Sequence, residues 1–334
     1  MMQQTQLTSR ERVRKVLQKK IPDRVPYGLY EAFIGYTNDS IIRRCTEKTG
    51  EMPNAYFHHD IAGVILEDRP LSEDPDWLER VRNIRTVNDA TNIMSEWIDI
   101  QRDINLLREE VAKVHSQGRA AMALTTVDDI ETPFLFRGRE QFFLDLGYEE
   151  NWLYTFIDFI TEACVQDAVT AARSGAEIFG IGYDMGSQKS LLISPEQWRR
   201  IFKPRLKRLI ETVKKEDPSI KFFLHSDGYI YEIIPDLIEI GVDILNPIQP
   251  EVMDPAEIKK EFGKDLIFCG GISVQYTLPL GTSADIEQEV KLRMETIGKD
   301  GGYLMCPSHI TGPEIPWENI EAYFSAAEKY GNYH

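Results

Sequence analysis

Residues 221–251, KFFLHSDGYIYEIIPDLIEIGVDILNPIQPE, hold the pattern from which the rest of the chain is read. The short apolar run Phe222-Phe223-Leu224 has the length and composition of a buried parallel strand. It breaks into His225-Ser226-Asp227-Gly228, after which Ile230, Ile233, Ile234, Leu237 and Ile238 recur at helical spacing. Gly241 stops that helix, Val242-Asp243-Ile244-Leu245 reads as a second strand, and a polar loop runs from Asn246 to Glu251. In such a βαβ unit both loops leave the carboxyl ends of parallel strands, so His225, Asp227, Gln249 and Glu251 are expected on one face of the sheet. An imidazole and two carboxylates at consecutive strand exits point to a site.

The same alternation extends in both directions. Upstream, Thr8-Ser9-Arg10-Glu11 has capping-box spacing ahead of the helical stripe Val13, Val16, Leu17. Strands are expected at Val25 to Leu29, Ile61 to Leu66, Ala120 to Leu124 and Glu177 to Ile181. Downstream they are expected at Leu266 to Cys269 and Gly302 to Met305. Helices are expected from about Ile100 to Gln117, at Arg139–Leu146 and Trp152–Ser174, from Pro195 to about Lys214, and from Asp254 to Phe262. Residues 284–297 and the stretch after Pro316-Trp317-Glu318 read as the last two. Polar loops follow the strands throughout. About eight such units favour an α/β fold of the closed (β/α)₈ TIM-barrel type over an open sheet. The helix at the start reads as an N-terminal extension, and the charged, turn-rich stretch 70–100 as a lid-like excursion, so residues 1–334 are expected to form a single domain.

Composition excludes several classes. The chain has 334 residues, 42% hydrophobic and 28% charged, with a formal charge of −16 and an isoelectric point near 4.9. Phosphate backbones would be repelled and no lysine or arginine block offsets this, so no nucleic-acid partner is expected. The start, MMQQTQLTSRERVRK, lacks the apolar core of a signal peptide, and no apolar run approaches a membrane span. Cys45, Cys164, Cys269 and Cys306 show no short pairing pattern and read as reduced thiols of a cytoplasmic protein. No glycine fingerprint for a dinucleotide and no phosphate-binding P-loop is found.

The succession HSDG, DLIEIGVDILNPIQPE, GGIS, LPLGT, GGYLMCPSH and PWENIEAYFSAAEKYG resembles the uroporphyrinogen decarboxylase superfamily, and RERVRKVLQKKIPDRVPYG is similar to its usual beginning. The resemblance implies a TIM barrel and one of two activities: decarboxylation of uroporphyrinogen, or zinc-dependent methyl transfer to or from a corrinoid protein or coenzyme thiol. The decarboxylases carry arginines after the first strand, where forks for a polycarboxylate are needed. Here that stretch is YGLYEAFIGY, residues 27–36, with one glutamate and no arginine. The methyltransferase branch holds zinc with a His-x-Cys pair and a distant cysteine. His225 and Cys306 match the histidine and the distant cysteine, Asp227 stands where the first cysteine would be, and Glu251 falls at a further ligand position. The resemblance therefore implies His225, Asp227, Glu251 and Cys306 as metal and catalytic residues; Cys269, leaving a neighbouring strand, is an alternative to Asp227, with burial as its competing reading.

A carboxylate in place of a thiolate makes zinc a harder Lewis acid, suited to a methyl–oxygen bond. The expected reaction is methyl transfer from a small donor, such as a methoxylated aromatic, to a corrinoid (cobalamin) on a partner protein. Tyr30, Glu31, His58, His59, Glu67, Asp68, Tyr183, Asp184 and His309, at strand exits or in the excursion, are candidates for holding the substrate. A homodimer is expected from the superfamily's habit. A decarboxylase and a non-catalytic small-molecule-binding relative are the competing readings. Asp227 has a structural alternative too, as the cap of a helix starting near Tyr229.

Overall fold

The computed structural model describes residues 7–66, 70–98 and 103–333. Seven strands form one parallel sheet in sequential order: β1 (Ile61–Ile65), β2 (Ala120–Leu124), β3 (Ile178–Gly182), β4 (Lys221–His225), β5 (Ile244–Asn246), β6 (Ile267–Ile272) and β7 (Tyr303–Pro307). Helices fill the connections, as parallel strands this apolar require cover on both faces.

The eighth expected strand, Val25–Leu29, is not laid down as a strand. Pro26 has no N–H to give a ladder, the Val25 N–H donates to the carbonyl of Gly331 at 2.8 Å, and the Tyr27 N–H donates to the Asp60 carboxylate at 2.9 Å. What remains bonds to both edges of the sheet. On β7 the Met305 N–H donates to the Pro26 carbonyl at 2.8 Å and the Gly28 N–H to the Met305 carbonyl at 3.2 Å; beside β1 the Asp60 N–H donates to the Tyr27 carbonyl at 3.1 Å. The curled sheet thus meets itself on this segment, and the fold is TIM-barrel-like, with seven strands and a bridging segment among the described residues. Asp60 anchors the closure, fully buried and paired to Arg12 at 2.8 Å and Arg24 at 2.6 Å.

The barrel interior is filled by Ile61, Ala120, Met122, Ile178, Phe223, Ile244, Ile267, Cys269, Leu304 and Cys306. Val13, Val16 and Leu17 of the helix Ser9–Leu17 join this interior. That helix has the expected capping box at Thr8 and Glu11, and Arg10 bonds Gly118 and Glu177, the residues just ahead of β2 and β3, so it closes the amino end. Tyr30 and Phe33 of the short helix Tyr30–Phe33 also enter the interior. Gly63 of β1 makes this possible: a Cβ there would stand 2.1 Å from the Gly35 nitrogen and 2.6 Å from the Phe33 carbonyl oxygen.

Three expectations change. The helix from Pro195 is two helices, Pro195–Ile201 and Lys203–Glu216, because Pro204 cannot bond back to Arg200. The helix before β2 is Ile104–Ser116, with Asp103 as its cap. The stretch after β1 is not lid-like in its described part: Trp77, Val81, Met94 and Trp97 of the helices Pro75–Arg82 and Val87–Ile98 are buried, with Phe136 edge-on to both tryptophans. Burying that much aromatic surface fixes the excursion to the flank of the barrel. No helix among the described residues is long and apolar enough to cross a membrane.

Candidate metal centre

His225 ends β4 and Asn246 ends β5, opposite each other in register. Past His225 the chain does not enter a helix at once. A 3₁₀ turn, Tyr231–Ile233, precedes the helix Ile234–Ile240, and no side chain caps either. Asp227 is therefore not a helix cap. Gly228 (φ 80°) turns the chain against Gly186 of the loop after β3, so closely that a Cβ on Gly186 would lie 2.4 Å from the Asp227 carbonyl oxygen. This contact brings the two loops' acids together, and the Asp227 N–H donates to Asp184 Oδ1 at 2.8 Å.

His225 Nε2 lies 3.7 Å from Asp184 Oδ1 and 3.9 Å from Asp227 Oδ1. His309, from the loop after β7, places Nε2 3.8 Å from Asp227 Oδ2. One ligand atom each of His225, Asp227 and His309 lies within 4.8 Å of the others. The 3.7–3.9 Å separations are too long for hydrogen bonds. A tetrahedral ion held at about 2.0–2.2 Å sets its donors roughly 3.3–3.6 Å apart, so a modest closure of the group would fit one.

Tyr30 supports the imidazoles from the barrel side. Its ring stacks on His225 with centroids 5.3 Å apart at 25°, and lies 5.8 Å from the His309 ring. Its Oη is 2.9 Å from His225 Nδ1, while Asn246 Oδ1 is 2.5 Å from the same nitrogen. Burial pushes the Tyr30 phenol well up, with Cys306, Cys269 and the two aspartates adding to it. Burial and the neighbouring Asp184 also raise the Asp227 carboxyl, against the pull of His225 and His309. A bound cation would relieve that crowding of carboxylates.

Other expected residues stand elsewhere. Cys306 is fully buried with its sulfur 3.5 Å from that of Cys269, and burial holds its thiol well above the ordinary range. Glu251 accepts a short hydrogen bond from the Ser273 hydroxyl, and its Oε2 is buried without a partner among the described residues. Neither belongs to the group of three. Glu31 is buried, bonded by the Thr311 hydroxyl and by Asn38 at 3.0 Å, with its carboxyl raised by burial. Tyr183 is a core residue, 1% exposed. His58 is exposed at φ 51°, whereas His59 is buried against Phe57 and Phe324, which stack on each other at 4.0 Å. Glu67 and Asp68 lie outside the described residues.

Asn246 is the residue that sequence reading passed over. Its signal was position: a polar side chain closing β5, with a histidine closing β4 beside it.

The family model described as Uroporphyrinogen decarboxylase (URO-D) matches residues 79–330. Methylcobamide:CoM methyltransferase MtaA of Methanosarcina barkeri is 29% identical over 175 residues, which are 52% of this chain and 48% of that protein. The uroporphyrinogen decarboxylase of Trichodesmium erythraeum (strain IMS101) is 27% identical over 184 residues, 54% of this chain and 48% of that protein. The chain spans about half the length of these curated relatives. A solved structure of a methyltransferase from Methanosarcina mazei matches with a TM-score of 0.70 at 17% identity, over 97% of this chain and 99% of that one, which shows a common fold.

Proposed function

The chain belongs to the uroporphyrinogen decarboxylase family, and within it we propose that the protein is a zinc-dependent methyltransferase that passes a methyl group from a small, methoxylated donor to a corrinoid on a separate partner protein. The observation that carries this reading is the convergence of His225, Asp227 and His309 at the carboxyl ends of the strands. Two imidazoles and a carboxylate are a zinc donor set, and three protein ligands leave a position for substrate. His309 takes the place in this set that resemblance alone gives to Cys306. The similarity to the Methanosarcina barkeri methyltransferase supports the reaction class.

The residues divide the work. Asp184 holds the Asp227 backbone and so aims its carboxylate. Tyr30 covers the inner side of both imidazoles and keeps water from that side. The side chains of Asp227 and His309 are 36% and 45% exposed, so substrate and partner would approach over them. When bound, zinc supplies a Lewis acid that polarises a methyl–oxygen bond. A decarboxylase would need a cationic cradle for its polycarboxylate, and Asp184 and Asp227 make this mouth a poor one.

Elemental analysis of the purified protein, after zinc is supplied, tests the proposal on wild type, His309→Ala and Cys306→Ala. About one zinc per chain, lost in H309A and kept in C306A, supports it. Loss in C306A with retention in H309A would return the thiolate to the donor set. A wild type without metal would remove the mechanism. A zinc-loaded protein is then assayed with methoxylated aromatics and a corrinoid protein.

A further inference from the structure

Behind the cation-facing edge of His225 runs a buried polar chain that the reading above does not use. Asn246 is completely buried. Its Oδ1 lies 2.5 Å from His225 Nδ1, and its Nδ2 donates to the Cys269 carbonyl at 3.1 Å. The second bond decides which end of the amide faces the imidazole: turned over, Oδ1 would oppose the Cys269 carbonyl oxygen, two acceptors with no hydrogen between them.

An amide oxygen only accepts hydrogen bonds. At 2.5 Å the facing Nδ1 must carry the hydrogen, since two lone pairs at that distance repel. A neutral imidazole has one N–H and one lone pair, so the lone pair of His225 sits on Nε2, the atom turned toward Asp184 and Asp227. Tyr30 Oη also lies 2.9 Å from Nδ1; a hydroxyl accepts as well as donates, so it can share the Nδ1–H with the amide oxygen, which can only accept.

We propose that Asn246 is a positioning residue that holds His225 in the Nδ1–H tautomer, so that Nε2 presents a lone pair to a cation. The use of that lone pair rests on the zinc reading above; the tautomer itself does not. With Asn246 gone, the imidazole is free to take the Nε2–H form and rotate. Partners of this kind are worth about 10–100-fold in metal affinity.

The test uses the full chain labelled with ¹⁵N-histidine and free of metal, with the His225 signals identified by their loss in H225Q. Long-range ¹H–¹⁵N correlation spectra report which ring nitrogen carries the hydrogen. Wild type is expected to show Nδ1–H. Asn246→Ala is expected to shift His225 toward Nε2–H, and Asn246→Asp, whose carboxyl also accepts from Nδ1, to keep it on Nδ1. In zinc titrations N246A should bind about 10–100-fold more weakly than wild type, with N246D restoring most of the difference. An Nε2–H signal in wild type, or a tautomer unchanged in N246A, overturns the proposal. If N246A does not fold, N246D decides: an Nε2–H signal there overturns the proposal, and retention of Nδ1–H supports it. An Nδ1–H wild type that binds no zinc would sink the metal reading and leave the role of Asn246 standing.

Discussion

Replacing His59 with phenylalanine should make the protein markedly more resistant to acid. The side chain is 2% exposed, and neither ring nitrogen has a hydrogen-bond partner among the described residues. The ring stacks on Phe57 at 6.3 Å and 9°, and on Phe324 at 5.7 Å and 21°. Burial above all, with smaller contributions from Arg119 and His58, lowers its pKa from 6.5 to about 3. Because the folded pKa is depressed, the unfolded chain takes up a proton that the folded chain refuses. Stability is full above pH 6.5 and falls as the pH drops from 6.5 toward 3. The whole shift corresponds to about 5 kcal/mol, and the part lost between pH 7.5 and 4.5 to about 2.7 kcal/mol. Phenylalanine keeps the stack and removes the proton site. Urea unfolding followed by circular dichroism at pH 7.5, 6.0 and 4.5 measures the difference; all other titrating groups cancel between the two proteins. H59F should lose about 2–3 kcal/mol less than wild type over this range. Equal losses would refute the reasoning and show that His59 is protonated in the folded state, as a residue in contact with solvent or substrate would be.

Three further outcomes follow from the structure. Asp60→Asn leaves Arg12 and Arg24 facing a neutral group at the barrel seam and should cost about 3–5 kcal/mol, read from urea midpoints at constant slope. Gly63→Ala drives a methyl into the backbone of residues 33–35, lifting the helix that carries Tyr30; a loss of about 3 kcal/mol in the same assay is expected, and a neutral result would mean that this helix yields freely. Asp227→Cys should trade methyl–oxygen for thiol substrates in metal-dependent turnover, and an unchanged preference would count against the hard-acid argument.

Much of the architecture is legible along the chain because its signals are local. Apolar runs of strand length, Gly241 after a helical stripe, and the caps at Thr8 and Asp254 each depend on neighbours within a few residues. Where an expectation failed, a distant partner or a proline had intervened. Val25–Leu29 reads as a strand by composition, yet Pro26 and the Asp60 carboxylate take away its ladder. The stretch 70–100 reads as a lid-like excursion by its charge and turns, yet in its described part Trp77 and Trp97 pack on Phe136.

For the site, sequence by itself settled which loops would converge, since every strand exit of a parallel barrel opens on one face. His225 and Asp227 were thereby placed at the right end of β4. It did not settle which side chains in those loops would meet. Cys306 lies within β7 and faces the interior beside Cys269, whereas His309, three residues on, stands in the loop beyond the strand and meets Asp227. Asp227 was equally suited to capping a helix until the contact of Gly186 with Gly228 set it beside Asp184. Residue type and spacing decide what a loop is able to bind. Packing between loops distant in sequence decides which of its atoms face one another, and donor distances are fixed by those contacts.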